Sequence, residues 1–401
     1  MYIYDPKLSG LGYRRHRRRI TLLPSQRYEY RDFLQGLSQP DQSLEQSMAT
    51  IRTTLPGCSL QEFLDKPFKG LPACRMSLDR TRDGNEIETF FFPGNSAGIA
   101  LVIGGVHGSE LSGSEVAQLL VKRLFEDSAK GVKPHFNVVI IPVLFPDNAA
   151  IAKPVHNKPG DDNNTGRITD KSSCSLRLQA SGREECVDPN RQFPTPGKRS
   201  ENINPVDALG TRIEKENVAL LAAVAFFKPG RIATIHAHKL PEKMAKDIDG
   251  PGIFADPITV GPSPSAVEVT QARDRTTADC ALAKKMAERF LNEYKAITRI
   301  DGSDRIPGNW VKDGKATVCV YGSKASSQCG VSLGQWGPRA IPGVRDPITI
   351  ITVEVRHYYP TTAAGKRVGG KTGETKAGAK NRPSELKAYA TALRDVFLET
   401  P

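Results

Sequence analysis

The strongest constraint in this chain of 401 residues is a single pattern running from residue 99 to residue 145. "IALVIGGV" is an unbroken apolar run, as expected of a strand buried on both faces. Two glycines interrupt it. "SELSGSEVAQLLVKRLFED" follows, with Val116, Leu119, Leu120 and Leu124 at helical spacing. "FNVVIIPVLF" (136–145) is then a second buried strand. Strand, helix, strand in this order predicts an α/β sheet with parallel elements.

The same reading extends outward. Leu44, Met48, Ile51 and Leu55 form an amphipathic helical pattern, and "NEIETFFF" reads as a strand ending in a "PGNSAG" turn. Residues 147–187 are polar and read as loop. Helices are expected at 217–227, 278–294 and 384–399, and strands at 231–238 and 348–355. No internal repeat is visible. Residues 1–39 are polar, aromatic and basic without a sustained period, and read as an N-terminal extension ahead of one α/β domain.

Composition bounds the partners. Hydrophobic and charged contents of 38% and 25% are ordinary for a globular protein. No run approaches the roughly 20 apolar residues that span a bilayer. The N-terminus lacks the apolar core of a secretory signal, so the expectation is cytoplasmic synthesis, with any export by a non-standard route to a periplasm or a target cell. The net charge of +12 favours anionic surroundings, and part of it is concentrated in "RRHRRR" (14–19). No zinc knuckle, helix-turn-helix or aromatic RNA-binding signature accompanies that cluster, so nucleic acid is not the expected partner. Seven cysteines can form three local pairs, Cys58 with Cys74, Cys174 with Cys186 and Cys319 with Cys329, leaving Cys280 over. Such pairs suit an oxidising destination, with reduced thiols in a cytosolic protein as the alternative.

Chemistry concentrates at strand ends. His107 and Glu110 follow one buried strand, and His236 lies near the carboxyl end of another, where open α/β sheets bind ligands. Two histidines and one carboxylate are a ligand set for catalytic zinc that leaves a position open for water. "VDPNRQFP" (187–194) puts Asp188, Asn190 and Arg191 in one tight turn. Glu354 sits inside "TVEV", an otherwise apolar strand. A carboxylate there is paired, protonated or functional, because burying it alone is costly.

"GGVHGSE", "DPNRQFP", "TIHAH" and "TVEV", in this order, resemble the zinc carboxypeptidase family of metallopeptidases. The resemblance covers roughly residues 40–401, as one catalytic domain, and the upstream "SLDRTRDGNEIETFFF" is similar to bacterial murein-peptide amidases of that family. It implies a mixed, twisted central sheet flanked by helices. It implies one Zn2+ per chain on His107, Glu110 and His236, with Asp188 bonded to the first histidine. Asn190 and Arg191 match the pair that grips a substrate's terminal carboxylate, and Glu354 matches the general base and acid. For the oxyanion arginine, Arg167 and Arg177 both qualify and Arg167 is preferred. Tyr321 matches the mobile tyrosine, although its spacing to Glu354 is longer than usual. His238, two residues after His236, is expected to line the groove.

The implied activity is hydrolysis of an amide bond in a short peptide with a free carboxylate, with a peptidoglycan stem peptide preferred. Two alternatives are an N-acyl amino acid deacylase of the succinylglutamate desuccinylase/aspartoacylase type and a non-catalytic binding protein on this scaffold. The basic extension suggests a further partner, a secretion or injection machine.

Overall fold

The structure, a computed structural model, describes residues 43–65, 68, 70–152, 176–178, 184–199, 204–238, 252–261, 263–298, 311–312, 315–316, 319–320, 330–356 and 376–400. The N-terminal extension, Arg167 and Tyr321 lie outside the described residues.

The first helix, α1 (Leu44–Thr54), begins at a capping box in which Ser43 and Gln46 satisfy each other's backbone amides. A short α2 (Leu60–Asp65) follows. Two antiparallel strands come next, β1 (Cys74–Arg80) and β2 (Glu86–Phe92), then the predicted crossover unit. It comprises β3 (Ile99–Gly104), α3 (Leu111–Ala129) and β4 (Asn137–Ile141), and β3 and β4 pair in parallel. A helix, α4 (Pro146–Ala152), and a hairpin, β5 (Leu176–Leu178) with β6 (Glu184–Cys186), interrupt the segment expected to be loop.

Beyond it come α5 (Lys215–Phe227), β7 (Arg231–His238), β8 (Gly252–Ala255), β9 (Thr259–Val260) and the long α6 (Ala266–Thr298). Three two-residue strands, β10 (Val311–Lys312), β11 (Lys315–Ala316) and β12 (Cys319–Val320), precede α7 (Leu333–Trp336) and β13 (Thr349–Arg356). Helix α8 (Lys376–Ala392) then leads into a π turn (Leu393–Phe397).

Seven strands form one mixed sheet in the order β1-β2-β4-β3-β7-β13-β8. Its centre, β4-β3-β7-β13, is parallel, and its flanks are antiparallel. A mixed α/β sheet flanked by helices is therefore the fold, as expected.

The side-chain alternation of each strand divides the core in two. Ala233, Ile235 and Ala237 of β7 and Ile351, Val353 and Val355 of β13 face a cluster with α1, α3, α6 and α8. Ile232 and Ile350 face the other cluster, with α2, α5 and α7. Val116, Leu120, Val121, Leu124 and Phe125 of α3 are 0–1% exposed. At about 2 kcal/mol per buried side chain, they alone contribute about 10 kcal/mol of gross hydrophobic stabilisation. By the same alternation, His236 and Glu354 lie on the face of α5 and α7.

A disulfide, Cys58–Cys74, pins the segment after α1 to the first residue of β1. Cys186 is also disulfide-bonded, and Cys280 is a free thiol. Two of the expected cysteine states are thus present, while Cys174 and Cys329 lie outside the described residues.

Candidate metal centre

Three glycines build the turn that carries the first two donors. Gly104 ends β3, and Gly105 takes φ +62°, a left-handed conformation that side chains avoid. A Cβ on Gly105 would meet Ser114 Oγ at 2.9 Å, and one on Gly108 would meet the Asn148 backbone at 2.4 Å. The chain is therefore squeezed between α3 and α4. The Glu110 amide donates to the His107 carbonyl at 3.0 Å, and Glu110 itself caps α3.

The two histidines converge on Glu110. His107 Nδ1 lies 2.8 Å from Glu110 Oε1, and His236 Nδ1 lies 3.1 Å from Glu110 Oε2. The Ala237 amide also donates to Oε2 at 3.0 Å, which ties the carboxylate to β7. All three side chains are buried, 3–5% exposed. Their ligand atoms lie within 4.8 Å of one another, the sole such cluster of metal-binding type among the described residues.

Donors bound to one tetrahedral zinc at about 2.0–2.2 Å stand roughly 3.3–3.6 Å apart, so this set fits a single zinc after small movements. The charges agree. Burial opposes ionisation of Glu110, but His107 and His236 outweigh it and hold its carboxyl well below the usual range. Burial likewise disfavours a charged His107, but Glu110 and Asp188 outweigh it and raise the ring to about 9.

Asp188 holds the far side of His107, with its Oδ1 2.8 Å from Nε2. That contact leaves Nδ1 as the nitrogen available to a metal. Asp188 caps a 3-10 turn over Pro189–Arg191, accepting the Asn190 amide at 2.8 Å. Buried Asn217, on α5, supports the turn by donating to the Pro189 carbonyl at 2.8 Å and to Gln192 Oε1 at 3.2 Å. Asn190 Oδ1 accepts the Leu333 amide at 3.4 Å, linking the turn to α7. Arg191 Nη1 donates to the Asn190 carbonyl at 2.7 Å.

Glu354 arrives by strand register. It is paired with His236 across β13 and β7, so the two side chains leave the sheet side by side on one face. Strand spacing keeps their backbones about 4.8 Å apart. His238 is the last residue of β7, paired with Arg356, and its side chain is outside the described residues.

Sequence reasoning missed two sets of residues here. Gln192 and Asn217, which brace the Asp188 turn, carried no signal beyond ordinary polarity. Asp256, in "IFADPI", did carry one. It is a carboxylate in an apolar segment, as Glu354 is, and its hydroxyl partner Thr352 lies two residues before Glu354.

Residues 84–228 match the family model described as zinc carboxypeptidase. The match includes His107, Glu110, Asp188, Asn190 and Arg191 and ends before His236 and Glu354. No curated protein matches. Among solved structures, the chain is similar to the carboxypeptidase A of Helicoverpa armigera at 13% identity and a TM-score of 0.45, over 92% of this chain and 81% of that one. Bovine thrombin-activatable fibrinolysis inhibitor, in complex with tick carboxypeptidase inhibitor, is similar at 13% identity and 0.42, over 85% and 98%. A metallo-carboxypeptidase from Burkholderia cenocepacia is similar at 16% identity and 0.38, over 84% and 69%.

The family match bears out the resemblance read from the motifs over residues 84–228, and His107, Glu110 and His236 form a donor set that could hold the zinc the family model's description names. Over residues 84–228 the chain is similar to the zinc carboxypeptidases. Among the described residues, no helix is long and apolar enough to cross a membrane.

Proposed function

We propose that this protein hydrolyses the amide bond before the terminal residue of a short peptide with a free carboxylate, and that peptidoglycan stem peptides are its substrates. The observation that carries the reading is the pairing of Glu354 with His236 beside a three-donor centre. Acid–base and metal-binding groups are thereby set one strand apart.

Zinc held by His107, Glu110 and His236 would act as a Lewis acid toward the amide carbonyl and the attacking water. The protein's own groups do the rest. Arg191, a planar donor with a single hydrogen bond among the described residues, grips the terminal carboxylate with Asn190 beside it. Glu354 takes a proton from the attacking water, whose oxygen adds to the carbonyl carbon. The C–N bond then breaks, and Glu354 returns the proton to the leaving amine. Asp188 fixes the ring of His107 throughout.

The stem-peptide preference is supported by the upstream segment's likeness to murein-peptide amidases and by the positive net charge. The disulfide Cys58–Cys74 supports action in an oxidising compartment outside the cytosol.

The test compares zinc-loaded protein on a peptidoglycan tripeptide, on an ordinary tripeptide, and on the amidated form of each. Cleavage that needs the free carboxylate and favours the stem peptide is expected. Glu354→Gln should retain zinc and lose about 10²–10⁴-fold in kcat. Turnover of amidated peptides at equal rates would refute the carboxylate anchor, and preference for the ordinary tripeptide would refute the substrate.

A further inference from the structure

Asn217 is the last polar residue of α5, and it is 0% exposed. An amide in such a place costs free energy unless its polar atoms find partners. Its Nδ2 uses both hydrogens. One goes to the Pro189 carbonyl at 2.8 Å and the other to Gln192 Oε1 at 3.2 Å. The Pro189 carbonyl can only accept, so the nitrogen of the Asn217 amide, not its oxygen, faces the turn. Its Oδ1 is buried and accepts no hydrogen bond among the described residues. The orientation that serves the turn leaves the amide's own oxygen unserved.

The bond to Pro189 has a reason in the turn itself. A 3-10 turn of three residues, Pro189–Arg191, is too short to satisfy its own carbonyls. The Arg191 amide donates to the Asp188 carbonyl at 2.8 Å, and the Pro189 carbonyl, next in line, accepts from Asn217. Gln192 is likewise 0% exposed. Its Oε1 also accepts the Glu214 amide at 3.2 Å, and its Nε2 donates to the Arg212 carbonyl at 3.4 Å. The turn is thus fixed to the start of α5 at two points, Pro189 and Gln192.

Pro189 stands between the two halves of the site. Asp188, one residue before it, meets His107 Nε2 at 2.8 Å. Asn190 and Arg191, the anchor proposed for a terminal carboxylate, follow it directly. Movement at Pro189 is therefore felt on both sides at once. Glu354 and His236 are held by strand pairing and Glu110 by the Ala237 amide, so none of those contacts depends on this turn.

We infer that Asn217 is a positioning residue that sets metal affinity and carboxylate recognition together, by holding the Pro189 carbonyl from within α5. The carboxylate half of the inference rests on the peptidase reading above, and the metal half on the three-donor set alone.

The test sets Asn217→Ala beside the parent. Each is titrated with zinc against a chromogenic chelator and then assayed, at saturating zinc, on a tripeptide with a free carboxylate. Zinc should bind about 3- to 10-fold more weakly, a smaller loss than for a direct partner of a metal ligand. KM should rise by a similar factor while kcat stays within about twofold, the signature of lost binding with the chemistry intact. Asn217→Ser keeps a donor and leaves room for a bridging water, so it should recover part of both losses. It also carries the test if the alanine variant does not fold. Lower thermal stability with parent-like zinc affinity and KM is the mark of a merely structural role and overturns the inference. So does a change in zinc affinity or in KM without the other. A parent that turns over no peptide refutes the peptidase reading instead; the zinc titration still decides the metal half, which parent-like affinity in both variants refutes.

Discussion

Gly108→Ala is the sharpest perturbation of the metal centre that leaves the identity of every donor unchanged. A Cβ there would lie 2.4 Å from Asn148 backbone carbon and 2.5 Å from the Ala149 nitrogen, where ordinary contact begins at 3.4 Å. The shortfall is about 1 Å, and both obstacles are backbone of α4 rather than a side chain that could swing away. The turn must therefore move, and it carries His107 on one side and Glu110 two residues on. Metal–ligand distances tolerate about ±0.2 Å. A displacement several times larger, at even one donor, should weaken zinc binding by about 10- to 100-fold, as lesser disturbances of ligand orientation already do. Overpacking of this kind should also cost about 1–3 kcal/mol of stability. Competition against a chromogenic chelator reads the first effect, and thermal melting with and without zinc reads the second. Gly230→Ala is the control, since nothing lies within 4 Å of its Cβ position. Parent-like zinc affinity and melting in Gly108→Ala would show that the turn has slack and that this contact does not position the donors.

Three further outcomes are expected. Asp188→Ala, by releasing Nε2 of His107, should weaken zinc by about 10- to 100-fold while Glu354 and its strand stay in place, which chelator competition and circular dichroism would show. In the protein without zinc, His107 titrates at about 9 against an ordinary 6.5, so its proton contributes stability below pH 6.5 that is lost as pH rises through about 9. Zinc needs the deprotonated ring, so its affinity runs the opposite way, rising by up to about tenfold per pH unit until about pH 9. Titrations at several pH values that gave a flat profile would refute this. Finally, Cys58→Ser with Cys74→Ser opens a crosslink between residues 16 apart and should cost about 3 kcal/mol in denaturant unfolding, with zinc content unchanged.

The crossover unit was legible because β3 and β4 are buried on both faces, so their apolar runs carry no competing pattern. His107, Glu110, His236 and Glu354 were legible for the converse reason, as charged or titratable groups at the ends of such runs. β1 was missed because it is an edge strand with alternating burial, and "CRMSLDR" reads as polar chain. The long helix α6 was expected over its second half alone, since its beginning is largely exposed, with Val267 at 65%, and shows no apolar stripe. Helix α4 lay hidden in a segment whose proline and asparagine suggested loop. Asp256, in "IFADPI", is a carboxylate in an apolar segment just as Glu354 is in "TVEV", and was legible on the same ground.

The pairing of His236 with Glu354 has an evolutionary consequence. The two residues are 118 positions apart in the chain, yet their separation in space is set by one rung of a hydrogen-bonded ladder. Length added or lost between them is absorbed outside the sheet, because the rung depends on neither connection. Such a protein can lengthen and recompose the segments between the two strands while the two side chains keep their spacing. Insertions are cheap here; a slip of one residue in either strand would turn His236 and Glu354 to opposite faces.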